Sequence, residues 1–115
     1  MTPAELARQA AEAVRALNHA TLTGGYVTPS DVDAVVAVLE ALAQRLPQAL
    51  RQAATWLEAE HDAGRVGVDD TDEVLLAMAK VTGGFGAAIG AASTLHAVLR
   101  GLHHETAHLT GTEGP

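Results

Sequence analysis

The chain contains no cysteine. That excludes disulfides, thiolate-bound zinc, iron–sulfur clusters and thiol catalysis. Aromatic residues are nearly as scarce: one Phe, one Trp and one Tyr. The 48% of hydrophobic residues is therefore mostly aliphatic, with alanine alone at 24 of 115 positions. Positive charge is short as well. Seven Lys and Arg stand against fourteen Asp and Glu, for a net charge of −7. A nucleic-acid binder normally carries a basic patch, so nucleic acid is not an expected partner. The first residues lack a long apolar run and carry Glu5 and Glu12. They do not read as a signal peptide, and a cytoplasmic location is expected. The length sets one domain, long enough to bury a core without disulfides or metal. Residues 1–110 read as that domain and 111–115 as a flexible tail.

Three segments carry helical periodicity. The first runs from Pro3 to Ala20, with Thr2 as N-cap, Pro3 at the first helical position and Glu5 in the first turn. Its apolar face is Leu6, Ala10, Ala13 and Leu17. Gly24, Gly25 and Pro29 end it. A second helix is expected to start at Ser30 as cap, with a stripe of Val32, Val35, Leu39, Leu42, Leu46, Leu50, Ala53 and Leu57. Pro47 interrupts it and predicts a kink or short break, because proline removes a ladder bond and clashes with the preceding turn. Gly64 suits the C′ position. The third helix is expected to be capped by Asp70 or Thr71. Its stripe is Val74, Met78, Val81, Phe85, Ala88, Ala92, Leu95, Leu99, Leu102, Thr106 and Leu109. Sustained 4-3 spacing predicts lengthwise packing on the second helix. The expected fold is an all-α, antiparallel up-down-up bundle. Leu39, Leu42, Leu46, Val81, Phe85, Leu95 and Leu99 are its predicted buried centre, and Trp56 its bundle-edge core residue.

The third helix has a second face. Ala79, Gly83, Gly86, Gly90, Ala97 and Gly101 recur at helical spacing, with Ser93 and Thr94 between. Each interior glycine costs about 1 kcal/mol of helix stability relative to alanine. Close approach of another helix is the usual compensation. Three readings follow. The helix breaks at Gly83-Gly84; or the small face packs the first helix or a second copy of the chain; or residues 81–99, free of formal charge between Lys80 and Arg100, span a membrane.

Five of the six histidines follow position 60. His104-Glu105-Thr106-Ala107-His108 matches H-E-x-x-H, which on a helix sets two imidazoles one turn apart for zinc, with the glutamate as general base. With Leu109-Thr110-Gly111 the string resembles the opening of metzincin-type zinc peptidases. Their third histidine would fall at Gly114, and nothing here reads as the sheet that borders their cleft. At about 100° per residue, His104 and His108 point away from the predicted core. The match is read as accidental, with His104 and His108 as the only candidate metal ligands and no cofactor expected. Gly83-Gly84-Phe85-Gly86 lacks a Walker lysine, and Asp69, Asp70, Asp72 and Glu73 lack the EF-hand spacing.

Segments such as Leu17-Asn-His-Ala-Thr-Leu22 and Gln44-Arg-Leu-Pro-Gln-Ala-Leu50, with the alanine-rich composition, resemble small helical proteins of actinomycetes with no assigned function. That resemblance implies no activity. The long acidic hairpin is also similar in build to W-x-G secretion substrates, but Trp56 is followed by Leu57 and Glu58. The functional expectation is a non-catalytic interaction module, self-associating through the third helix or binding another helical protein. A zinc-dependent hydrolase on residues 104–108 and a small membrane-associated protein are its alternatives.

Overall fold

A computed structural model describes residues 1–69 and 73–114. The protein is all-α: α1 (Pro3–Ala20), α2 (Pro29–Asp62) and α3 (Val74–Thr106), with no strand among the described residues.

Local signals account for most helix ends. The Thr2 hydroxyl accepts from the Glu5 backbone N–H at 3.1 Å, and the Glu5 carboxylate accepts from the Thr2 N–H at 3.1 Å. This reciprocal pair satisfies two orphan donors of the first turn. α2 starts earlier than expected. Its N-cap is Thr28, with Pro29 at the first helical position, in place of Ser30. The deciding side chain is Asp31, whose carboxylate accepts from the N–H groups of Val27 at 2.8 Å and Thr28 at 3.0 Å. These two bonds hold the Asp31 carboxyl below the usual carboxylate range. At the other end Gly64 takes φ +74°. Its N–H reaches the His61 carbonyl at 2.9 Å, and the Arg65 N–H reaches the Glu60 carbonyl at 2.9 Å. That is a Schellman closure, open to glycine because only glycine tolerates left-handed backbone at no cost. The expected caps Asp70 and Thr71 of the third helix lie outside the described residues; the residue before α3 is Glu73.

The short break allowed at Pro47 is absent, and so is the break at Gly83-Gly84 that one reading of α3 required. α2 runs unbroken through Pro47, and α3 runs unbroken through Gly83 and Gly84.

α2 and α3 form an antiparallel hairpin that sets the long dimension of a 68 × 25 × 24 Å molecule. On α3 the seam follows every second position of the expected stripe; on α2 it lies one position beyond the expected Val35, Leu42 and Leu46. The buried residues are Val36, Ala43 and Pro47 on α2, and Met78, Ala92 and Thr106 on α3. Phe85 and Leu99 sit half-buried on the same line, as do Leu39 and Leu42 beside it. Leu46, Val81 and Leu95, expected at the centre, are 38%, 38% and 47% exposed. The physical reason is backbone approach. Alanines at 43 and 92 let two helices close where leucines would hold them apart. Leu46, Val81, Leu95 and Leu102 are turned away from the seam.

α1 runs beside α2 in the opposite sense, Leu17 near Val35 and Leu39, Leu6 near Ala53 and Trp56. It buries none of its residues, and no Cα of α1 lies within 8 Å of α2 or α3 among the described residues. Trp56, expected in the core, is 65% exposed on an apolar cleft between α1 and α2. After α3 the chain is irregular; Leu109 folds back beside Val32, and Gly111 lies against Pro29.

One chain therefore leaves much surface in water. Its accessible area is 8607 Å². A compact monomer of this mass exposes about 5,900 Å².

Candidate functional site

Two features of the hairpin stand out: a polar cluster on one edge of the seam, and an uncovered α3.

The cluster is built from heptad-spaced pairs. Asp33 and Glu40 lie seven residues apart on α2, His96 and His103 seven apart on α3. The antiparallel pairing brings them together. His103 Nδ1 is 2.9 Å from Glu40 Oε2, and His103 Nε2 is 3.5 Å from Asp33 Oδ1. His96 Nε2 stands 3.8 Å from Glu40 Oε1. The Thr106 hydroxyl donates to Asp33 Oδ1 at 2.7 Å. All four ionisable side chains are between 20% and 35% exposed. Both ring nitrogens of His103 thus face acceptors. An imidazolium donates to both carboxylates at once, whereas a neutral ring donates to one only. Among the described residues no group of three or more His, Asp or Glu side chains is arranged to hold a metal ion. All of these contacts cross between α2 and α3, so they are made in one register of the two helices.

This cluster escaped the sequence reading. Asp33 and Glu40 lie off the α2 apolar stripe, on its polar side. The available signal was the shared seven-residue spacing of the two acids and the two histidines.

The expected site residues lie elsewhere on α3. Ala79, Gly83, Gly86, Gly90, Ala97 and Gly101 are all exposed. A Cβ placed on Gly83, Gly86, Gly90 or Gly101 would meet no described heavy atom within 4 Å outside its own helical turn and chain neighbours. The reading in which this face packs the first helix is therefore corrected: α1 lies on α2, away from it. His104 and His108 are exposed, and their rings meet edge to face with centroids 5.2 Å apart. α3 ends at Thr106, between them, so the H-E-x-x-H string does not lie on one continuous helix.

α3 is long and apolar enough to cross a membrane by length and composition, and only 6% of its most apolar window is buried within the chain. A helix that is apolar all round is normally covered on all sides. No protein-family model, no curated protein and no solved structure matches the chain.

Proposed function

We propose that the protein is a non-catalytic, self-associating helical module in which α3 is the contact element. A second copy meets it through the small-residue face of Ala79, Gly83, Gly86, Gly90, Ala97 and Gly101. The observation that carries this reading is the apolar window of α3, 6% buried within its own chain. Four glycines on an open face support it, since alanine there would strengthen the helix in water. Close packing of a second helix gives the glycines a use.

The same window supports a membrane as the second reading. The hairpin weighs against it. α2 lies along α3 and carries Glu40, Arg45, Arg51 and Glu58 over the same length. Each charge at the centre of a bilayer costs about 2.5–3.5 kcal/mol on insertion scales.

Sedimentation equilibrium tests the proposal. The wild type should exceed the 11.8 kDa of one chain. Gly90→Leu should lower the mass with helix content retained, because overpacking a close contact forces the helices apart. An unchanged mass in Gly90→Leu would remove the small face as the contact. Flotation of the wild type with lipid vesicles would move the assignment to the membrane.

A further inference from the structure

We propose that a second copy also docks on the leucine edge of the α2–α3 hairpin, a surface distinct from the small-residue face. This inference rests on the self-association reading and extends it to a second contact.

The argument starts from the two stripes the sequence displays. Around α2, Leu39, Leu42 and Leu46 are turned about 85° from the seam line of Val36, Ala43 and Pro47. Around α3, Val81, Leu95 and Leu102 are turned by about 50° in the same sense from the line of Met78, Ala92 and Thr106. Because the helices are antiparallel, these two rotations carry both stripes to the same edge. The opposite edge is polar. There Asp33 and Glu40 meet His96 and His103, and Glu58 and Asp62 border a cleft with Ala79 and Thr82.

On the leucine edge, α1 shields only the α2 side. Leu17 borders Val35 and Leu39, but α1 does not reach α3. Leu46, Val81, Leu95 and Leu102 are left 38%, 38%, 47% and 45% exposed. The hairpin presents the wall of a helical bundle whose facing side is missing.

Two observations make the occupant a second copy of this chain. The first is area. The chain exposes 8607 Å², some 2,700 Å² above a compact monomer of its mass. A standard protein interface removes about 1,600 Å² over both partners. One contact at the glycine face would cover about 800 Å² per chain and leave about 1,900 Å² of that excess uncovered. The second is charge. The chain carries −7 overall, so copies repel on most approaches. The six stripe residues carry no charge, and an uncharged leucine surface is complementary to itself about a two-fold axis. Two different two-fold surfaces on one chain close as a tetramer or run on as a filament.

Three samples in sedimentation equilibrium test this: wild type, Gly90→Leu, and the double variant Leu95→Glu with Leu102→Glu. The wild type should contain at least four chains. Each variant should have half that mass or less, and all three substitutions together should give the 11.8 kDa monomer. Circular dichroism should show helix retained, since both leucines are about half exposed in the single chain. Should the double variant unfold, a single Leu95→Cys decides instead, because the chain has no native cysteine. Its thiol should react about tenfold more slowly with an alkylating reagent in the assembled than in the dilute, dissociated protein.

An unchanged mass in the leucine variant with helix retained overturns this edge and leaves the glycine face standing. A fall in the leucine variant alone overturns the glycine face and leaves this edge standing. A monomeric wild type overturns both, and so does a wild type whose leucine edge captures a different protein in place of its own copy. Alkylation at the same rate in assembled and dissociated protein overturns the leucine edge.

Discussion

His103 on α3 and Glu40 on α2 meet across the seam with Nδ1 and Oε2 at 2.9 Å, sixty-three residues apart in the chain. The other ring nitrogen faces Asp33 at 3.5 Å. One side chain thus ties α3 to two acids about two helical turns apart on the α2 polar edge. Sliding the helices past each other by one turn would separate all three.

His103→Ala should therefore destabilise the hairpin by about 1–3 kcal/mol, the cost of leaving partly buried charged groups without their partner. Glu40→Leu combined with His103→Leu should recover most of that loss, as apolar replacement of a buried pair often does. Urea titrations followed by circular dichroism would measure both. A single variant as stable as the wild type would show that the cluster does not hold the register.

Phe85 and Leu95 should separate the seam from the open edge. On the dissociated chain, Phe85→Ala should cost about 1–3 kcal/mol, less than for a fully buried phenylalanine, because Phe85 is half-buried. Leu95→Ala, at 47% exposure, should change the dissociated chain by under about 0.5 kcal/mol. Thermal melts at low concentration decide; equal losses would contradict the seam described above.

Glycines 64 and 83 should respond to alanine with opposite signs. Gly64 sits at φ +74°, where a Cβ costs about 1–2 kcal/mol. Gly83 is helical with open space around it, so Gly83→Ala should stabilise the dissociated chain by about 0.5–1 kcal/mol. Denaturant midpoints of the two variants would check this.

Asp31 should give the start of α2 a pH dependence. Its folded carboxyl is held low by the N–H groups of Val27 and Thr28. A lowered folded value means the carboxylate stabilises the cap above the ordinary aspartate pKa of about 3.9. That contribution is lost as pH falls through the lower folded value. Protection of the Val27 and Thr28 amides, relative to their intrinsic exchange rates at each pH, should fall over that window in the wild type. In Asp31→Asn that acid step should be missing.

Zinc should leave the chain unchanged. Purified without a histidine tag, the protein should hold no stoichiometric zinc, and His104→Ala should melt at the wild-type temperature with or without the metal. One zinc per chain, lost in His104→Ala, together with peptide hydrolysis by the wild type, would install the hydrolase reading in place of the interaction module.

Sequence alone determined the three helices and several of their ends, because those signals are local. Thr2 with Glu5 caps α1, and Gly64 closes α2, through bonds spanning at most five residues. Periodicity also located the apolar side of each helix, including the stripes through Leu39 and Leu95. Only the tertiary structure decided what each side faces. Periodicity describes one axis at a time and names no neighbour. Small residues such as Ala43 and Ala92 took the seam, since backbones close only where side chains are short. That choice turned Leu46, Leu95 and Leu102 to an open edge and left the glycine face of α3 bare. It also drew Asp33 and Glu40, which lie off the α2 apolar stripe, onto His96 and His103. Which acids meet which histidines follows from the antiparallel register of two helices, and no single stretch of chain contains it.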